Sequence, residues 1–129
     1  MPHITVDYSA QLSGVFDRQA FVRELHPMVL EETGSAGVCK TFFRSAAETF
    51  VGDRGAGQVA FVHVEVGLLP GRPDELKARL AEDVLALLGK HLPAGGHGYR
   101  DSDGDGYEVV TSVEVRDLSG AYRLHHAQR

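Results

Sequence analysis

Val59-Ala60-Phe61-Val62-His63-Val64-Glu65-Val66, then Pro70-Gly71-Arg72-Pro73, then Leu76, Leu80, Val84, Leu87 and Leu88: this stretch spells a strand, a turn and a helix in succession. Across residues 59–66, Val62, Val64 and Val66 fall on one side and Phe61, His63 and Glu65 on the other, the two-residue period of a half-buried strand. The leucines and Val84 then recur at helical spacing through about Leu92, and Glu75–Arg79 and Arg79–Asp83 are favourable i,i+4 pairs. Pro73 suits the first helical position, where its missing N–H removes no hydrogen bond. A further strand follows at residues 107–115, after a loop over 95–106.

The first part of the chain repeats this order. Residues 2–8 alternate, with Ile4 and Val6 opposite His3, Thr5 and Asp7. A helical pattern follows through Phe16, Phe21, Val22, Leu25, Val29 and Leu30, with Gly34 suited to the left-handed position after the helix end. Pro27 lies inside the pattern and is expected to kink or divide it. Residues 38–51 read as a second, bent strand, and residues 52–57 as a turn. The 129 residues thus form one domain of two strand–helix–strand halves, about 1–52 and 58–118, with a tail from 116 to 129. Strand–helix–strand spacing implies a right-handed crossover and parallel pairing within each half. The expected class is α/β (α+β): a four-stranded mixed sheet with both helices, near 17–33 and 73–91, on one face. The other face is expected to be apolar and covered by self-association.

Composition narrows function. A formal charge of −5 disfavours nucleic-acid binding. No apolar run reaches the ~20 residues of a membrane helix, and no secretory signal is legible at the N-terminus. Cys39 is the single cysteine, which excludes an internal disulfide, fits a cytoplasmic location and reads as a small buried hydrophobe. The spacing of Gly52, Gly55 and Gly57 is not a dinucleotide fingerprint. Asp101, Asp103 and Asp105 copy the start of a calcium loop, but Ser112 stands where the closing glutamate belongs, so an acidic turn is expected. The histidines show no ligand spacing on one face, and no metal site is expected.

Two features suggest chemistry. Pro2, once Met1 is removed, is a secondary amine at the start of a strand. Arg72, between Gly71 and Pro73 at a helix N-terminus, can combine a guanidinium with free backbone N–H groups to hold a carboxylate.

With the opening Pro2-His3-Ile4-Thr5-Val6, the block Ala60-Phe61-Val62-His63-Val64, the turn Pro70-Gly71-Arg72 and the ending Val113-Glu114-Val115-Arg116-Asp117-Leu118, the chain resembles the tautomerase superfamily, within it the 5-carboxymethyl-2-hydroxymuconate isomerases. The resemblance implies that Pro2 is the proton-transferring base and Arg72 a carboxylate-binding residue. It implies a second cation on the strand before the glycine-rich turn, where Arg44 is the arginine and Lys40 the other candidate. The implied reaction is a 1,3-allylic proton shift in a 2-hydroxymuconate-like dienol, giving the 2-oxo-3-ene isomer, in aromatic-acid degradation. It needs no metal, nucleotide or flavin, its substrate is a small di- or tricarboxylate, and the assembly is a homotrimer. Other activities on small unsaturated acids, dehalogenation and decarboxylation among them, share the superfamily. A non-catalytic trimeric ligand-binding protein is the alternative outside catalysis.

Overall fold

A computed structural model of the chain describes residues 1–93, 99–100 and 106–128. Its elements run β1 (His3–Ser9), a short 3-10 turn (Ala10–Leu12), α1 (Arg18–Thr33), β2 (Lys40–Ala46), β3 (Val59–Leu68), α2 (Asp74–Lys90), β4 (Tyr99–Arg100) and β5 (Gly106–Asp117). The strand order is β2-β1-β3-β5-β4. Within each half the pairing is parallel, β1 with β2 and β3 with β5, and the halves join through antiparallel β1 and β3. This is the expected four-stranded mixed sheet, to which the two-residue β4 adds an antiparallel edge inside the stretch read as loop. The Asp101, Asp103 and Asp105 turn lies outside the described residues.

Register explains the core. Ile4, Val6 and Tyr8 stand opposite Val66, Val64 and Val62, so these residues share one face of the sheet. All six are buried, in one cluster with Phe21, Leu25 and Val29 of α1 and Leu80, Val84 and Leu88 of α2. Both helices therefore cover the same face. Removing each of these side chains from water contributes roughly 1.5–3 kcal/mol to folding.

The helix ends follow local chemistry. Asp17 caps α1 by accepting a bond from Ala20 N at 3.1 Å, and Gly34 ends it at φ 64°, a conformation that costs a side-chain-bearing residue free energy. Asp74 and Glu75 in the first turn of α2, and Lys90 in the last, match the helix dipole, while Pro73 caps the helix one position earlier than the sequence pattern placed it. The expectation that Pro27 divides the first helix is not met. α1 runs unbroken through it, because Pro27 is exposed and water can satisfy the carbonyl whose partner the ring removes.

The second sheet face also departs from expectation. It carries Phe42, Phe61 and Val110, but between them stand Thr5, Asp7, Arg44, His63, Glu65, Ser112, Glu114 and Arg116. Charged pairs, Arg44–Asp7 and Arg116–Glu65 at 2.7 Å each, replace the apolar surface predicted. The alternation had placed Thr5, Asp7, Phe61, His63 and Glu65 on the side away from Ile4, Val6 and the valines, as observed. The error lay in taking an uncovered face to be an apolar one.

At the end of β5 the chain turns across the sheet. Leu118 N donates to Leu68 O at 2.6 Å, and the Leu118 side chain occupies space beside Gly67: a Cβ built there would lie 2.5 Å from Leu118 Cδ2. Glycine at this position of β3 is what admits the tail.

Candidate active site

Pro2 precedes β1 and is buried. Its carbonyl accepts a bond from Lys40 N at 3.1 Å, which ties the chain start to the start of β2. The β3–α2 connection reaches the same end of the sheet. Gly71, at φ 121°, turns the chain there and brings in Arg72. Pro2 and Arg72 line one pocket of about 210 Å³ together with Met1, Ser35, Leu68 and Leu69. The pocket thus draws on the chain start, the α1–β2 loop and the turn after β3.

Arg72 is held on three sides. Nε donates to Thr33 O at 3.1 Å, Nη1 to Leu69 O at 3.2 Å and Nη2 to Ser35 Oγ at 3.0 Å. A guanidinium has five N–H donors, so among the described residues one on each Nη is left for a ligand. Two such donors suit the two oxygens of a carboxylate. Sequence reasoning found Arg72 and Pro2 but not Ser35, since Thr33-Gly34-Ser35 reads only as a helix stop.

The other two cations do not line this pocket. Arg44 lies on the uncovered face and grips Asp7 through two bonds, Nε to Oδ1 at 2.7 Å and Nη2 to Oδ2 at 3.0 Å, which raise its pKa further. Lys40 sits directly opposite His3 on the same face, with its ammonium 5.4 Å from the ring centre of Tyr122 in the tail. His3 is pushed below the usual histidine range by burial first and by the Lys40 charge second. Cys39 is buried beneath this region and its thiol is pushed up by that burial, which fits the inert reading.

The histidine reading needs one correction. His63 and Glu65 on β3 and Glu114 on β5 do share a face, with ligand atoms within 4.8 Å of one another. The sequence hid this because Glu114 comes from β5, separated from β3 by all of α2, and only the strand register sets it beside Glu65. Glu65 is already paired with Arg116, and His63 Nδ1 lies 2.7 Å from Ser112 Oγ, so two of the three groups have protein partners.

Two parallel strand–helix–strand halves joined antiparallel, with both helices on one face, define a tautomerase-like architecture, and known structures agree. A 5-carboxymethyl-2-hydroxymuconate isomerase from Deinococcus radiodurans R1 superposes with a TM-score of 0.74 at 19% identity, over 97% of this chain and 90% of that one. A 5-carboxymethyl-2-hydroxymuconate delta-isomerase superposes with a TM-score of 0.70 at 18% identity, over 98% and 89%. A fused 4-OT described as a symmetric trimer gives 0.59 at 21% identity, over 90% and 85%. No curated protein matches the sequence. Residues 2–97 match the profile of the 5-carboxymethyl-2-hydroxymuconate isomerase family, and the chain belongs to that family.

Proposed function

We propose that the chain catalyses a cofactor-independent proton shift in a 5-carboxymethyl-2-hydroxymuconate-like dienol, yielding the 2-oxo-3-ene isomer, as a step of aromatic-acid catabolism in the cytoplasm. The observation that carries this reading is the shared pocket of Pro2 and Arg72. Family membership supports the isomerase class.

The chemistry follows from the residues. With Met1 removed, Pro2 presents a secondary amine with no flexible side chain. Burial and the nearby Arg72 charge both disfavour its protonated form, so it can be neutral near pH 7 and take a proton from the hydroxyl end of the dienol. The same amine, now protonated, returns that proton to carbon at the far end of the conjugated system. Arg72 holds a substrate carboxylate and stabilises negative charge that spreads through the conjugated chain. Lys40, whose ammonium has no carboxylate partner among the described residues, is the cation on β2 available for a second carboxylate. Arg44 is engaged by Asp7 and is not assigned that role.

The assembly proposed is a homotrimer. The likeness to a symmetric trimer supports it, as does a sheet face with Phe42 and Val110 exposed and no helix over it among the described residues. Ultraviolet monitoring of ketonisation, with 2-hydroxymuconate and its 5-carboxymethyl derivative side by side, tests the reading. Faster turnover of the carboxymethylated dienol is expected. Binding of either without turnover would leave a ligand-binding protein on this scaffold.

A further inference from the structure

The hydrogen bonds around Arg72 have a fixed direction. A guanidinium only donates, so the contact from Nη2 makes Ser35 Oγ an acceptor. A carbonyl only accepts, so the 2.7 Å contact between Thr33 Oγ1 and Val29 O uses the Thr33 hydroxyl hydrogen. The Ser35 and Thr33 hydroxyl oxygens are 2.7 Å apart, and with the Thr33 hydrogen committed, the hydrogen between them belongs to Ser35. The order has one solution: Arg72 Nη2–H to Ser35 Oγ–H to Thr33 Oγ1–H to Val29 O. Ser35 N reinforces it by donating to Thr33 Oγ1 at 3.3 Å. Thr33 is buried in the last turn of α1, so the relay ends in the helix itself.

We infer that Ser35 is a positioning residue of the Pro2–Arg72 pocket, and that the relay it completes selects a free carboxylate over its ester or amide. The inference rests on reading that pocket as the substrate site. Ser35 lines the pocket, yet its only hydrogen points to Thr33, so it cannot donate to a ligand and acts through Arg72. Nε on Thr33 O, Nη1 on Leu69 O and Nη2 on Ser35 Oγ together hold the guanidinium at all three nitrogens, and this three-point clamp sets the orientation of the two remaining donors. A carboxylate can accept both with charge. An ester or primary amide offers one good acceptor and no charge, and leaves the second donor unpaired. Without Ser35 the chain loses one side of this clamp, and the donor pair loses its set orientation.

The test uses the purified chain, cis,cis-muconate and its monomethyl ester as unreactive probes in calorimetry, 2-hydroxymuconate turnover, and thermal melting. Ser35→Ala should weaken muconate binding and raise KM by about tenfold, with a smaller fall in kcat and a reduced preference for the diacid over its ester. Ser35→Thr, which keeps the hydroxyl, should restore affinity and preference. Thr33→Val should shift both in the direction of Ser35→Ala. Wild-type affinity and ester preference in folded Ser35→Ala would overturn the inference, and so would a lower melting temperature with binding unchanged, which is the signature of a helix-end role alone. A folded wild-type chain that neither binds muconate nor converts the dienol would overturn the site reading itself and the inference with it.

Discussion

Arg44 and Asp7 meet face to face across the parallel β1–β2 ladder, at positions directly opposite in register, joined by two hydrogen bonds of 2.7 and 3.0 Å. Cross-strand neighbours of opposite charge satisfy each other where they stand. Arg44→Ala should therefore leave KM for a dienol within about twofold of wild type, because a solvated ion pair at the surface contributes little beyond itself. Steady-state kinetics check this, and a KM rise as large as that of an Arg72 variant would return Arg44 to the site.

Arg72→Ala should weaken transition-state binding by about 2–4 kcal/mol, read as a fall in kcat/KM. The sequence alone gives no reason for a folding effect. The structure does, since Thr33 O and Leu69 O lose a charged donor, and a cost of about 1–2 kcal/mol is expected in urea unfolding. Unaltered kinetics with the stability loss would leave Arg72 a purely structural clamp.

Activity should depend on processing at the N-terminus. A Met1–Pro2 amide nitrogen is not basic, so chain that retains Met1 should be nearly inert while chain beginning at Pro2 turns over. Mass spectrometry paired with kinetics on both forms decides this. Equal rates eliminate Pro2 as the base.

Glu32, in the last turn of α1, has its carboxyl raised to about 7, first by burial and then by hydrogen bonding and charge from Asp83 on α2, with Glu31 adding to the shift and Arg79 opposing it. A carboxyl whose folded pKa is raised favours the folded state while protonated. That contribution is complete below the unfolded value of 4.5 and is lost as pH rises through about 7. Glu32→Gln should therefore flatten stability across that window and raise it at pH 8 by up to about 1 kcal/mol, since solvent screens the site in part. Melting curves at pH 5 and pH 8 test the sign: a Gln variant less stable at pH 8 refutes it.

Gly67→Ala should destabilise by about 1–3 kcal/mol, because the new Cβ meets Leu118 Cδ2 at 2.5 Å and Cγ at 3.1 Å. Adding Leu118→Ala should recover part of the loss, a coupling that a double-mutant cycle measures. Strict additivity would mean the tail does not pack on Gly67.

The halves, both helices and the parallel pairing were legible because periodicity and connection length are local properties of the chain: Val62, Val64 and Val66 alternate visibly, and Leu76 to Leu88 trace a helical stripe. Pro2 and Arg72 were legible as unusual residues at element ends. What the sequence withheld arises between elements. Asp7 gives no sign that it takes up Arg44, Glu114 none that it stands opposite Glu65, and Ser35 reads as a loop residue until Arg72 is placed on it. Nothing in the sequence around Gly67 signals that Leu118 packs against it.

β1, which precedes both of its partners in chain order, is an inner strand of the sheet, and this bears on how the chain folds as it leaves the ribosome. Its neighbours β2 and β3 follow it only after a helix and a long turn. The first half can close early as a parallel unit on α1. Until β3 is synthesised, however, the β1 edge facing it, with the unpaired backbone groups of residues 3–8 along it, is open to pairing with any other nascent strand. The strand that carries Pro2 at its start is thus also the chain's point of greatest exposure to misassembly during translation.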